Sequence, residues 1–269
     1  MSLSTPVHPP IGQLLRGWRE RRGLTQLELA LRAEVSTRHL SFVETGRASP
    51  SREMILHLAD QLDVPLRERN QLLLAAGYAP IFSEASLDSP HMAAVRAAVR
   101  KILLAHEPSP AVVVDRHWNV LDANSGLSIF TECIPAELLK PPINVMRLSL
   151  HPQGAAPSII NLRQWRAHLL GRLRREIART ADAALVRLYD EVRGYGGAAS
   201  AAQLEIPGPG EVVAPLRFRG RDQELVFFST VAAFGTPLDV TVAELAIELF
   251  FPADSATAEA LRRRGADRG

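Results

Sequence analysis

The chain has 269 residues, enough for about two domains with separate cores. Its 46% hydrophobic and 22% charged content is that of an ordinary globular protein, and a net charge of only +2 excludes a general polycation, so any affinity for nucleic acid must come from a local patch. A single cysteine, Cys133, excludes a disulfide framework and a Cys-based zinc site, and no apolar run approaches the roughly 20 residues of a membrane span.

Taken in order, residues 1–10 read as a flexible tail bearing Pro6, Pro9 and Pro10, unlike a signal peptide, and a reducing cytoplasm is the expected compartment. From 11 to 78 every periodic signal is helical. Ile11, Leu14, Leu15 and Trp18 form one apolar stripe, and Gly23 stops that helix. Thr25 and Glu28 make a capping box for a second helix, whose Leu27, Ala30 and Leu31 are expected to face inward. Ser36 caps a third, with Leu40 and Val43 inward and Gly46 at its C-terminal end. Pro50-Ser51 opens a fourth helix and Pro65 a fifth that ends at Gly77.

Two short helices joined by a tight turn, the second one polar and Arg-bearing, are how a protein presents side chains to the major groove of DNA. Thr25 and Gln26 stand at a helix N-terminus, where a phosphate is favoured. Ser36, Thr37, Arg38, Ser41 and Phe42 lie on or beside the outward face of the third helix, and Arg47 lies just past it. Arg38 suits a bidentate contact with guanine, Phe42 a thymine methyl, and Arg47 a phosphate. The segment 11–65 resembles the XRE-family helix-turn-helix of Cro/repressor type. The residues that carry the resemblance are Leu24-Thr25-Gln26, Glu28-Leu29-Ala30, Val35-Ser36, Glu44, Gly46 and Pro50-Ser51. The resemblance implies a structural pair between Arg19 of the first helix and Glu44 at the end of the third. Glu34 departs from the pattern, standing where the family usually has Gly.

Residues 79–90 read as a linker, and 91–269 as a second domain opening with a helix over 91–106. The period then changes. Pro110–Asp115 and Trp118–Ala123 are short β-rich runs around Arg116-His117, a two-residue hairpin turn. Residues 125–140 read as irregular helix and 161–194 as strongly helical, and strands are expected over Val212–Phe218, Leu225–Phe234 and Val242–Phe251, with a last helix over 255–264. The fold class is α+β: five helices, then an antiparallel sheet with helices on one face.

Over 90–260 the chain resembles the MmyB-like ligand-binding domain. The matching segments include Glu107-Pro108, His117-Trp118, Ala123-Asn124, Asn144–Leu148, His168-Leu169-Leu170, Phe234–Pro237 and Phe250–Asp254. The resemblance implies a PAS-like fold serving as a small-molecule sensor, and because a single DNA-binding head buries little surface this domain is also expected to dimerise. Val112, Val114, Val120, Phe227, Val231 and Ile247 are candidates for the cavity lining, with Asn124, Arg147 and His117 as polar anchors, so an apolar or amphipathic molecule is expected. No catalytic constellation, phosphate loop or metal-ligand spacing is found, and Pro207-Gly208-Pro209-Gly210 lacks the lysine a phosphate loop needs. The expectation is a DNA-binding regulator, not an enzyme. No cofactor is required, a small apolar or fatty-acid-like molecule is the candidate for a bound ligand, and the expected partners are an operator in double-stranded DNA, a small-molecule effector and a second copy of the chain. The alternative is a ligand-independent dimeric DNA-binding protein with a purely structural second domain.

Overall fold

A computed structural model describes residues 9–195 and 214–266. The Pro207–Gly210 segment, the tail up to residue 8 and the expected start of a strand at Val212 lie outside the described residues. The chain folds as two units, the first drawn mostly from residues up to Glu84 and the second mostly from residues after it.

The first unit is five helices: α1 (Ile11–Arg21), α2 (Gln26–Arg32), α3 (Thr37–Glu44), α4 (Arg52–Gln61) and α5 (Leu66–Ala75). Side chains start three of them. Thr25 accepts from the Glu28 amide and the Glu28 carboxylate accepts from the Thr25 amide, while Ser36 and Ser51 accept from the amides of His39 and Met54. Gly23, Gly46 and Gly77 take left-handed φ of 66°, 73° and 83° just past the ends of α1, α3 and α5, where a side chain would be strained. The apolar stripes close one core, with Leu15, Trp18, Leu29, Leu40, Val43, Ile55, Leu58 and Leu73 buried together. Leu27 and Leu31 do not join it. They are 58% and 70% exposed, because the short α2 turns only Leu29 and Ala30 inward.

Part of the expected linker is fastened to this unit. The buried side chain of Asn70 in α5 accepts from the amides of Ile81 and Phe82 and donates to the Phe82 carbonyl. One amide side chain thereby supplies the partners that an irregular segment cannot find in itself.

The second unit carries an antiparallel sheet in the order β2-β1-β5-β4-β3, from β1 (Ala111–Val114), β2 (Val120–Ala123), β3 (Leu216–Arg219), β4 (Glu224–Ala232) and β5 (Ala246–Pro252). Its helices are α6 (Ala93–Ala105), α7 (Ser128–Thr131), α8 (Val145–Leu150), α9 (Leu162–Thr180), α10 (Ala183–Gly194), α11 (Val240–Ala243) and α12 (Ser255–Ala266). One sheet face, with Val112, Leu216, Phe218, Phe227 and Phe250, packs into a core with Met146, Trp165, Leu169, Leu173, Leu185 and Leu188.

The sheet is covered on both faces, contrary to the single covered face expected. Ala111, Val113 and Ile247 point the other way and pack with Val99 and Leu103 of α6. This is why β1 reads Ala-Val-Val-Val without alternation: all four residues are buried, as in any strand covered on both sides.

Three further differences have local causes. The β1–β2 connection is a five-residue loop rather than a two-residue turn, because the Asp115 carboxylate accepts from the amides of His117 and Asn119 and holds Trp118 at φ 69°. The helical stretch 161–194 is two helices, broken by Ala181 at φ 57° and restarted by Asp182, whose side chain accepts from the Ala184 amide. The last strand begins at Ala246 rather than Val242, since Val240–Ala243 forms a helical turn.

Candidate functional site

The polar face of the first unit is fixed by a buried charge pair. Arg19 Nε and Nη2 donate to Glu44 Oε1 and Oε2 at 2.7 and 2.9 Å, and Nη1 donates to the Leu24 carbonyl at 2.7 Å. The fork engages both carboxylate oxygens, the geometry that makes an Arg–carboxylate pair strong and directional. Its guanidinium is accordingly held above its ordinary pKa by the bond to Glu44. Gln26 Nε2 donates to Glu44 Oε2 at 2.8 Å, so the first residue of α2 is pinned to the last residue of α3. His57 of α4 donates through Nε2 to the Ala33 carbonyl at 2.8 Å, closing the turn between the two helices.

Around this clamp the structure places Thr25, Ser36, Arg38 and Arg47 exposed, and Thr37, Ser41 and Phe42 half-buried. The Arg38 guanidinium lies over the Phe42 ring, 5.3 Å from its centroid, so the two side chains form one surface. Gln26 alone among these side chains is drawn back into the clamp. Two features of the turn were not read from sequence. Gly12 lets α1 cross α3 at close range, since a Cβ there would lie 2.4 Å from the Val43 carbonyl oxygen. Glu34, the departure from the family pattern, takes φ 52°, a left-handed conformation that a glycine would adopt without strain.

The second unit holds a cavity of about 120 Å³ between the sheet and its helices. Val112 and Val120 of the expected lining reach it, with Trp118, Phe130, Met146, Trp165, Leu169 and Phe250. Val114 and Phe227 lie in the same core without reaching the wall; the Phe227 ring meets that of Phe130 edge-on at 5.3 Å.

The other expected lining residues are elsewhere. Ile247 is on the reverse face, because it pairs with Val113 and side chains alternate along β5. Val231, opposite Glu248 on the cavity face, is 48% exposed. Asn124 is buried but fully engaged, accepting from the Ala111 amide and donating to the carbonyls of Leu103 and Ser109. Arg147 makes a two-pronged pair with Glu191 at 2.7 and 2.8 Å, which ties α8 to α10. His117 Nε2 lies 2.9 Å from Asp182 Oδ2. Each of these polar groups fastens one element to another, and none of them lines the cavity.

What the sequence reading missed is Glu248, a carboxylate 5% exposed on the cavity face of β5, paired with Arg172 Nη1 of α9 at 2.7 Å. The Arg172 guanidinium stacks on Trp118, 4.5 Å from the ring centroid. Nearby, His168 stacks on Trp165 with ring centroids 5.1 Å apart, and burial, aided by Arg172 and Arg175, pushes its pKa down to about 4. A signal for Glu248 was present: in Ala-Ile-Glu-Leu-Phe-Phe an acidic residue interrupts an apolar strand at a position of the cavity face. Among the described residues, no group of three or more His, Cys, Asp or Glu side chains is arranged to hold a metal ion, and no helix is long and apolar enough to cross a membrane.

Comparison with curated proteins finds no match. Among solved structures, one described as an RNA-binding light-oxygen-voltage receptor is 13% identical over 96% of this chain and 62% of that one, with a TM-score of 0.29, too low to carry any argument. This chain thus matches less than two thirds of that receptor's length. Family comparison is decisive. Residues 10–72 match a helix-turn-helix domain, and residues 95–263 match the MmyB-like transcription regulator ligand binding domain. With a helix-turn-helix unit held by the Arg19–Glu44 clamp and a covered sheet enclosing an apolar cavity, the chain belongs to the MmyB-like transcription regulators: DNA-binding proteins with a ligand-binding domain, not enzymes.

Proposed function

We propose that this regulator is a homodimer that binds an operator through α3 and its flanks and senses a small apolar or amphipathic molecule in the second unit. Arg38 and Phe42 read bases from the major groove, with Thr37 and Ser41 beside them. Thr25, Gln26, Ser36 and Arg47 contact phosphates and set the register. One such head covers little DNA, so two copies engage half-sites about one helical turn apart. The protein works in the cytoplasm. Ligand preference for one dimer geometry changes how the heads are held, and with it operator affinity.

The observation that carries the sensing part is the cavity of about 120 Å³ whose walls are almost wholly apolar. A dry apolar cavity of roughly 150 Å³ accepts a molecule the size of benzene. A fatty-acid-like chain needs more room than this, so it enters only as the covering helices move apart.

The test begins with selection of bound sequences from a random DNA pool. The selected operator is then titrated with protein that has been stripped of, or refilled with, the small molecules extracted from it. A change in operator affinity is expected; unchanged affinity across all extracts would remove the sensing role and leave a purely structural second unit. Arg38→Ala should weaken binding and relax sequence preference at one position, whereas a uniform loss across sequences would assign Arg38 to phosphate.

A further inference from the structure

The cavity's single ionisable wall residue among the described residues, Glu248, sits on a sheet face made mostly of Val, Leu and Phe, with Ser229 and Ala246 also on it. Its neighbours across the strands are Val112 and Val231. A carboxylate in such a place is costly unless paired, and Arg172 pairs it. The pairing uses one oxygen only: Arg172 Nη1 meets Oε1, and no other described group donates to this carboxylate. The same guanidinium is also engaged by its stack on Trp118, 4.5 Å from the ring centroid.

We propose that this regulator's ligand carries an uncharged hydrogen-bond donor, a hydroxyl or an amide N–H, at the end of an apolar body, and that the donor binds the Glu248 carboxylate. The inference rests on the ligand-sensing reading above and narrows it. The Arg172–Glu248 pair is already neutral as a unit. A cationic head group would leave an uncompensated positive charge in an apolar site, and a carboxylate would meet Glu248 with like charge. A neutral donor adds a charge-assisted hydrogen bond without either cost. Thr131 and Ser149, the hydroxyls on the wall, are compatible with the same uncharged chemistry.

The test uses the full-length chain and four probes that share one ring: toluene, benzyl alcohol, benzoate and benzylammonium, titrated calorimetrically. Benzyl alcohol is expected to bind about tenfold more tightly than toluene, the gain of one hydrogen bond to a charged group, with benzoate and benzylammonium weaker than toluene. In the apolar replacement Arg172→Met/Glu248→Leu, toluene affinity should persist and the advantage of the alcohol should vanish. Toluene binding without any gain for the alcohol, benzoate binding best, or an alcohol advantage that survives the double replacement would each overturn the inference while leaving the sensing reading intact. Failure of all four probes would overturn both. If the double replacement does not fold by circular dichroism, the order of the four probes on the parent protein decides the matter.

Discussion

Removing the Glu44 carboxylate is the most direct probe of how α3 is held. In Glu44→Ala the Arg19 guanidinium, only 8% exposed, loses two charge-assisted hydrogen bonds and keeps its bond to the Leu24 carbonyl and a looser ion pair with Glu20 at 3.7 Å. Breaking a buried charge pair by removing one partner costs about 3–5 kcal/mol, a large part of the roughly 5–15 kcal/mol that stabilises a typical domain, and the remaining pair with Glu20 places Arg19 at the lower end of that range. For a unit of this size each kcal/mol lowers the melting temperature by about 4–8 °C, so a fall of more than about 10 °C is expected. Gln26 loses its acceptor in the same step, which frees the start of α2. Hydrogen exchange read across α1 to α3 localises the loss to the first unit, and circular dichroism melts give its size. Arg19→Met/Glu44→Leu removes both charges and fills the space with apolar atoms, and should lie within about 1 kcal/mol of the parent. The reasoning fails if Glu44→Ala costs less than about 1 kcal/mol, or if the double replacement is as damaging as the single one.

Gly12→Ala should destabilise the first unit by about 1–3 kcal/mol and weaken DNA binding, because the new Cβ would press on the backbone of α3 at Val43 and Glu44; wild-type melting and affinity would refute this. Glu34→Gly should stabilise by about 1 kcal/mol in a urea titration, since it relieves a left-handed φ of 52° at an exposed site. A loss of stability there would mean that the Glu34 side chain has a role in the fold. The His168 pKa, about 4 in the folded protein against 6.5 for the free side chain, sets a pH dependence of known sign. The unfolded chain binds the proton more readily, so this contribution is present above about pH 6.5 and is lost as pH falls towards 4. The ring is only half-buried and partly screened by solvent, so about 1–2 kcal/mol is expected over that window. Melts of the parent and His168→Leu between pH 7 and pH 4 should differ by that slope, and parallel curves would rule it out.

Local signals carried the first unit. Capping Ser and Thr residues, left-handed glycines and apolar stripes at helical spacing act within a few residues of where they stand, so α1 to α5 were legible at their starts and ends. The Arg19–Glu44 pair was legible only through resemblance, since its partners are 25 residues apart. Glu34 shows the limit of pattern: its departure from Gly was visible, but the left-handed backbone that makes the departure matter belongs to the folded turn.

In the second unit, the apolar content of the strands was fixed by sequence, and which of their faces meets the cavity was not. Ile247 and Glu248 are adjacent, and the pairing of β5 with β1 sends the isoleucine to α6 and the acid to the cavity. A shift of one residue would exchange them, and nothing local to β5 prevents it. The same holds for Asn124 and Arg147, polar residues whose partners come from distant elements and turn them into ties rather than ligand anchors. Composition and periodicity therefore determined that this protein has a helical unit and a sheet-built body, and the helix-turn-helix motif with its family resemblance made the first a DNA-reading one. Tertiary pairing decided which face of the sheet is hollow and placed one acid on its wall, because register is a property of two strands and cannot be written in one.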